Sequence, residues 1–243
     1  MDKNRINAIG FITCFTLLLN SIPFQLFIEN EILLFIINVI MRVISIVVLL
    51  LYIKKENLNY LKFGKLKFSH LSLLPLLIIS VSNIIVSLFQ GINIKNDINY
   101  FNLITGIILS IGVGILEELL FRGQILDEFL KHQSKFKSIV YSSLIFGSVH
   151  LLNISSLSSI IPVLSQVAYS FVLGLILAYV YLKTDNIIIP IVFHSLFNIL
   201  NSIVISSVFI LKLDFVYYIV NIFVGIITLV YLIIHNRLSK TNN

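Results

Sequence analysis

The chain has 243 residues, of which 58% are hydrophobic and 12% are charged, and its mean hydropathy is +1.03. This composition excludes a soluble globular domain, and apolar stretches of about 20 residues without alternation are typical of a helical membrane protein. The formal net charge of +6 comes from cations in short segments between these stretches, which favours membrane orientation over nucleic-acid binding. The single cysteine, Cys14, excludes a disulfide framework and a cysteine metal site.

Eight apolar stretches predict an all-α, polytopic bundle of about eight transmembrane helices, so that residues 1–243 form a single membrane domain. The predicted spans lie near 6–28, 32–53, 71–90, 101–121, 138–157, 159–182, 187–206 and 214–235. The first is interpreted as an uncleaved span, because no small-residue cleavage site follows it. The loop at 122–137 is predicted to be basic, and its acidic residues Asp127 and Glu128 are expected to be solvated.

The distribution of Lys and Arg predicts the orientation of the bundle. With the N-terminus inside, fourteen of the 17 Lys and Arg residues fall on the cytoplasmic side, two fall outside, and Arg42 lies within span two. This bias predicts a multi-pass protein of the cell membrane with both termini in the cytoplasm. The short loops favour a bacterial source.

Span four ends in two adjacent glutamates, Glu117 and Glu118, followed one helical turn later by Arg122. A carboxylate in hydrocarbon costs several kcal/mol unless it is paired or used in chemistry, and Arg122 can neutralise only one of the two. Small residues at every fourth position lead up to the pair and allow another helix to approach closely: Gly106, Ser110 and Gly114. Span six has a similar series, Ser170, Gly174 and Ala178. Both glutamates are therefore predicted to face the protein interior.

Three further polar side chains lie deep in predicted spans: His150 in span five, and His194 with Asn198 one turn later in span seven. A glutamate can act as a base, an imidazole as a metal ligand or proton carrier, and an amide as a donor to an oxyanion. Two histidines and a glutamate with an open position also form a catalytic zinc arrangement. The alternatives are structural contacts between helices and an ion or proton pathway.

The predicted depths of these groups in the membrane disagree. At about 1.5 Å per residue, Glu117 and His194 lie about 7 and 12 Å from the inner edge, whereas His150 lies at about 18 Å. Helix tilt or different bounds for span five would be needed to bring the three side chains together.

Taken in chain order, three motifs resemble the signature of the CPBP intramembrane metalloproteases, the CAAX-processing and bacteriocin-processing enzymes related to Rce1-like prenyl endopeptidases. They are Glu117-Glu118-x-x-x-Arg122, Phe146-x-x-x-His150 and His194-x-x-x-Asn198. The resemblance covers a protease-like core at about residues 100–205, and the spans on either side of it carry no motif.

The resemblance implies an endopeptidase whose site lies in a cavity within the membrane. Glu117 would activate the attacking water with help from His150, and His194 and Asn198 would stabilise the oxyanion. In the metalloprotease version of the mechanism, Glu117, His150 and His194 would hold a zinc ion. A metal-free glutamate mechanism is the alternative.

The resemblance also implies that Glu118 and Arg122 form an ion pair that orients their helix. The expected partners are membrane lipid and a membrane-associated peptide or protein, and no nucleic acid. The substrate would be a prenylated CAAX-type tail or a bacteriocin or pheromone precursor, and bacterial relatives are associated with bacteriocin self-immunity. The rival interpretations are an ion- or proton-coupled carrier and a non-catalytic immunity or scaffold protein.

Arg42 is the one cation deep in a span, and three interpretations remain open for it. It could extend its charge to the membrane surface, pair with a carboxylate, or contact the C-terminal carboxylate of a peptide substrate.

Overall fold

The computed structural model describes residues 3–55, 61–65, 76–89, 97–154, 160–200 and 215–241. Within these ranges no β-strand forms, and apart from one isolated bridge the regular structure is helical. In chain order the α-helices are α1 (Lys3–Asn20), α2 (Glu31–Lys55), α3 (Leu76–Phe89), α4 (Tyr100–Leu120), α5 (Asp127–His132), α6 (Lys135–Ser148), α7 (Ile160–Thr184), α8 (Ile188–Asn198) and α9 (Phe215–Thr241). Shorter segments are 3₁₀-helices at Phe24–Leu26 and Val149–Asn153 and a π-helix at Phe121–Leu126.

Within the described residues, four helical runs are long and apolar enough to cross a membrane: Arg5–Leu26, Glu31–Lys55, Tyr100–His132 and Ile160–Thr184. Two further apolar helical stretches, Ile188–Asn198 and Ile219–Ile234, are shorter. The all-helical architecture is therefore confirmed for the described residues. The count of eight spans stays a prediction, as does the orientation of the termini.

The sequence misplaced the end of span four. The helical run from Tyr100 continues to His132, through the segment predicted to be a loop from residue 122 onwards. The reason is that Arg122 is neutralised inside the protein, with Nη1 3.1 Å from Glu118 Oε1, and so does not need to leave the membrane. Glu128 was also expected to be solvated, but its Oε2 lies 2.8 Å from Arg5 Nε.

Span five is also shorter than predicted. Helix α6 ends at Ser148, and the chain continues as the 3₁₀-helix Val149–Asn153. His150 consequently lies on a short turn beyond the helix instead of deep within a long one. A Ser/Asn-rich stretch at residues 153–159 was predicted to separate spans five and six, and residues 155–159 of it lie outside the described ranges. The end of predicted span seven, 201–206, also lies outside them.

Helix α4 is central to the bundle, since it packs against α2 on one side and α8 on the other, while α6 packs against α7. A Cβ on Gly114 of α4 would lie 3.0 Å from the backbone nitrogen of Ser195 in α8. A Cβ on Gly174 of α7 would lie 3.0 Å from Ser143 Cβ in α6. The predicted close helix approaches are thus confirmed at these two glycines.

The turn between α7 and α8 is held by the segment that follows α2. Gly64 N donates to Asp185 O at 2.9 Å, and Ile187 N donates to Lys62 O at 2.8 Å. Asp185 has φ 55°, a left-handed conformation that Asp and Asn tolerate better than other residues with a Cβ. The side chain of Asn186 bonds both Gly64 O and Ile188 N. These contacts fix the start of α8, which carries His194.

Candidate active site

Two adjacent glutamates on α4 have different environments. Glu118 is fully buried at 0% exposure, whereas the side chain of Glu117 is 20% exposed. Arg122 Nη1 lies 3.1 Å from Glu118 Oε1, and Arg122 Nη2 donates to Gly174 O on α7 at 3.2 Å. The guanidinium therefore ties the end of α4 to α7 and places a positive charge beside Glu118.

His194 lies between the two carboxylates. Its Nδ1 is 2.8 Å from Glu118 Oε1, and its Nε2 is 3.5 Å from Glu117 Oε2. Because an ionised carboxylate only accepts hydrogen bonds, contact with Glu118 assigns a proton to Nδ1. When His194 is protonated, Glu117, Glu118, His194 and Arg122 contain two negative and two positive charges. The arrangement is neutral overall, which lowers the cost of burying these groups together.

Phe146 on α6 contacts three of the polar residues. Its ring centroid lies 5.5 Å from that of His150 and 5.7 Å from that of His194, both in edge-to-face geometry. The Arg122 guanidinium carbon lies 4.7 Å from the same centroid, within the range of a cation–π contact. One aromatic ring thus positions groups from three separate segments, which gives a physical reason for a phenylalanine at this place in the motif.

His150 has one ring nitrogen engaged with the backbone. Its Nδ1 lies 3.1 Å from Phe146 O, four residues earlier. A carbonyl oxygen can only accept, so Nδ1 carries the proton and Nε2 is the nitrogen of neutral His150 that can accept one. The 3₁₀ turn after α6 gives His150 this position.

A polar cavity of about 210 Å³ lies where these elements meet. Glu117, His150, His194 and Asn198 all line it, and Glu118 and Arg122 lie behind its wall through their contacts with His194 and Phe146. The disagreement in depth expected from the sequence is resolved, because His150 reaches the same cavity as the other two groups. Water has space in a cavity of this size and has polar partners along its walls.

The residue types that bind zinc are present here, but their side chains do not converge on one point. Within the described ranges, no three His, Cys, Asp or Glu side chains come close enough together to hold a metal ion. Glu117, His150 and His194 line one cavity without meeting as a ligand set. Zinc ligation by these three residues stays a prediction from the sequence, and no reaction step below depends on it.

Sequence reasoning missed the contribution of α7 to the cavity wall. Gln166, Tyr169 and Ser170 line it, and Asn153 Nδ2 donates to Gln166 Oε1 at 3.1 Å across the rim. Gln166 and Ser170 are one helical turn apart in an otherwise apolar helix. This spacing of polar residues is the signal that could have identified them.

Comparisons with known proteins relate part of the chain to a family. Neither a curated protein nor a solved structure matches this chain significantly. The matching family model is described as Type II CAAX prenyl endopeptidase Rce1-like, and it covers residues 99–200. That range contains all three motifs and every residue of the cluster around His194. The resemblance inferred from the motifs is confirmed: residues 99–200 of this chain are Rce1-like.

Proposed function

We propose that this protein is an intramembrane endopeptidase of the CAAX type, which hydrolyses a peptide bond in a membrane-associated peptide or protein. One observation carries the proposal. Glu117, His150, His194 and Asn198 come from three separate stretches of the chain and line one polar cavity within an apolar bundle. A polar cavity among membrane helices is costly unless it has a use, and hydrolysis needs water at such a place.

Glu117 is the base in this proposal. It is the carboxylate on the cavity wall, while Glu118 is buried behind it and engaged with Arg122 and His194. Its carboxylate accepts a proton from a cavity water, and the resulting hydroxide attacks the carbonyl carbon of the scissile bond. His150 assists through Nε2, the nitrogen that its contact with Phe146 leaves available. The tetrahedral intermediate then collapses with cleavage of the C–N bond, and Glu117 passes its proton to the amine of the leaving fragment.

His194 and Asn198 stabilise the tetrahedral intermediate. They lie one helical turn apart on α8 and line the cavity together. With Nδ1 held by Glu118, a protonated His194 can donate from Nε2 to the oxyanion, and the amide of Asn198 supplies a second donor. Donors fixed by packing before the reaction stabilise the developing charge without reorganisation, which is the main advantage of such a site.

The substrate classes are those that the motifs suggest. A prenylated CAAX-type tail and a bacteriocin or pheromone precursor both present a short peptide at the membrane surface. A cellular role in bacteriocin self-immunity would follow from cleavage of the second class.

A cleavage assay in liposomes on both substrate classes tests the proposal. The variants are Glu117→Gln, His150→Ala and His194→Ala, each with and without a chelator. Glu31→Gln and His132→Ala are matched controls, because Glu31 is exposed at the start of α2 and His132 ends α5, away from the cavity.

The expected result is product from the wild type and both controls, and a loss of about 10²-fold or more in each of the three site variants. Equal cleavage by folded wild type and site variants would contradict the assignment. Substrate flux without a peptide product would favour a carrier. Loss of activity with the chelator alone would show that a metal is used.

A further inference from the structure

A second polar cavity adjoins the first, and Glu117 lines both. The second cavity has a volume of about 160 Å³ and shares four lining residues with the first, namely Val113, Glu117, His150 and Asn153. Its remaining polar wall comes from α1, the residue that follows α1, and α2, all of which precede the Rce1-like region: Thr16, Asn20, Ser21 and Arg42. The cavity exceeds by about tenfold the roughly 10–15 Å³ that one water needs, so it has room for the end of a peptide.

Arg42 provides the positive charge of this second cavity. Its Nη1 donates to Asn38 O on its own helix at 3.2 Å, and its Nε is buried without a hydrogen-bond partner among the residues that the structure describes. Within the described part of the chain, no carboxylate lies within 4.0 Å of the guanidinium. Arg122, the other arginine in the bundle interior, is paired with Glu118. The carboxylate of Glu117 lines the same cavity but lies beyond ion-pair distance of Arg42. The guanidinium, which is costly to bury without a close partner, therefore retains a donor for the carboxylate of a ligand.

The position of Arg42 depends on a glycine of the motif helix. A Cβ on Gly112 would lie 3.0 Å from Arg42 Cδ, so the absence of a side chain there leaves room for the arginine stem. Gly112 stands five residues before Glu117 on α4. The arginine of α2 therefore passes over the same helix that carries the proposed base.

A hydrogen-bond acceptor lies on the same wall. Asn20 Nδ2 donates to Thr16 O and Ser45 Oγ, both at 2.8 Å, while its Oδ1 is buried without a partner in the described part of the chain. The last residue of a peptide offers the complementary pair of groups, a carboxylate acceptor and a backbone N–H donor. Arg42 can bind the first and Asn20 the second.

We propose that this second cavity binds the C-terminal residue of the substrate, with Arg42 pairing with its free carboxylate. The inference rests on the proposed function, because it assumes that a peptide passes Glu117 with one end in each cavity. The carbonyl to be attacked lies toward His194 and Asn198, and the fragment on the other side of the scissile bond occupies the Arg42 cavity. Arg42 then contributes part of the affinity for a substrate that ends in a free carboxylate.

A binding measurement separates this inference from the question of catalysis. The full chain carrying His194→Ala is purified in detergent so that turnover is blocked, because His194 lines only the first cavity and Glu117 then keeps its charge in the second. Its affinity is measured for a fluorescent, farnesylated Cys-Val-Leu-Met peptide with either a free carboxylate or a C-terminal carboxamide. The affinities for the same two peptides are then measured for proteins that also carry Arg42→Gln or Arg42→Lys. The thermal unfolding transition of each protein shows whether it is folded.

With Arg42 present, we expect the carboxylate peptide to bind about tenfold more tightly than the carboxamide, as for a charge-assisted pair. Arg42→Gln should reduce that ratio to about one, and Arg42→Lys should retain part of it. No preference with Arg42 present, a preference that survives in folded Arg42→Gln protein, or no binding of either peptide would overturn the inference.

Two further outcomes separate the sources of the anion and the two proposals. If phosphatidylglycerol competes with both peptides equally and only when Arg42 is present, the bound anion is a lipid headgroup and the inference is wrong. If the wild type cleaves the peptide but the preference does not depend on Arg42, the proposed function stands and the inference falls. If the Arg42-dependent preference appears but the wild type yields no product, the carboxylate site stands and the proposed function falls.

Discussion

His194 Nδ1 lies 2.8 Å from Glu118 Oε1, and the two residues are 76 positions apart in the chain. This contact joins α8 to α4 at the centre of the site and changes the interpretation of Glu118. The sequence alone predicts only that Glu118 forms an ion pair with Arg122. In the folded protein it also orients the histidine that faces Glu117, so it is a positioning residue for the proposed reaction.

The Glu118 contact predicts a specific kinetic defect. Glu118→Gln removes the negative charge that holds Nδ1–H, so we expect kcat to fall by about 10²-fold or more while KM changes little. Glu118 is fully buried and does not line the cavity, so substrate binding should be largely unaffected. Steady-state cleavage kinetics measure both constants, and recovery of part of kcat in Glu118→Asp would support the role of charge. An unchanged kcat in Glu118→Gln would contradict it.

The buried ion pair between Arg122 and Glu118 is expected to contribute more to the free energy of unfolding than an exposed ion pair does. Arg122→Met leaves Glu118 buried without its partner, and we expect the free energy of unfolding to fall by about 3–5 kcal/mol. Lys62→Met removes the partner of Asp185, but those two side chains are 41% and 61% exposed, so the loss should stay below about 1 kcal/mol. Thermal unfolding in detergent compares the two, and equal losses would show that the Arg122 pair contributes no more than a surface pair.

The glycine of α4 that contacts α8 predicts a loss of activity through helix displacement. The Cβ of Gly114→Ala would lie 3.0 Å from Ser195 N and 3.2 Å from Ser195 Cα, so α8 must move away. His194 moves with it, and we expect a stability loss of about 1–3 kcal/mol and a clear loss of cleavage. Gly10→Ala is the matched control, because a Cβ there has nothing within 4 Å. Full activity in Gly114→Ala would mean that the spacing of α4 and α8 does not control the site.

Phe146 has no reactive group, but its contacts with His150, His194 and Arg122 predict that it supports the reaction by positioning them. Phe146→Leu removes the ring that contacts His150, His194 and Arg122, and we expect a stability loss of about 1–2 kcal/mol together with lower kcat. Phe223→Leu on α9 is the control, since Phe223 is exposed and far from the motifs. Equal kinetic effects of the two substitutions would refute a positioning role for Phe146.

The sequence by itself determined the helical class and identified the residues of the candidate site. Continuous apolar stretches allow only helices in a membrane, and Glu117, His150, His194 and Asn198 are exceptional because polar groups are costly there. The sequence did not determine where the helices end. Arg122 has the appearance of a loop residue until its partners are known, and those partners, Glu118 and Gly174 O, include a backbone group 52 residues away.

Only the tertiary structure decided how the polar groups are connected. Hydropathy gives a depth along one helix axis, and on that basis His150 lies too deep to meet Glu117. A 3₁₀ turn after α6 changes its position, and the bond from Nδ1 to Phe146 O sets its orientation. The link from Glu118 to His194 and the cavity next to Arg42 depend on distances between helices. Such distances are set by side-chain packing between residues far apart in the chain, which the pattern along a single span does not encode.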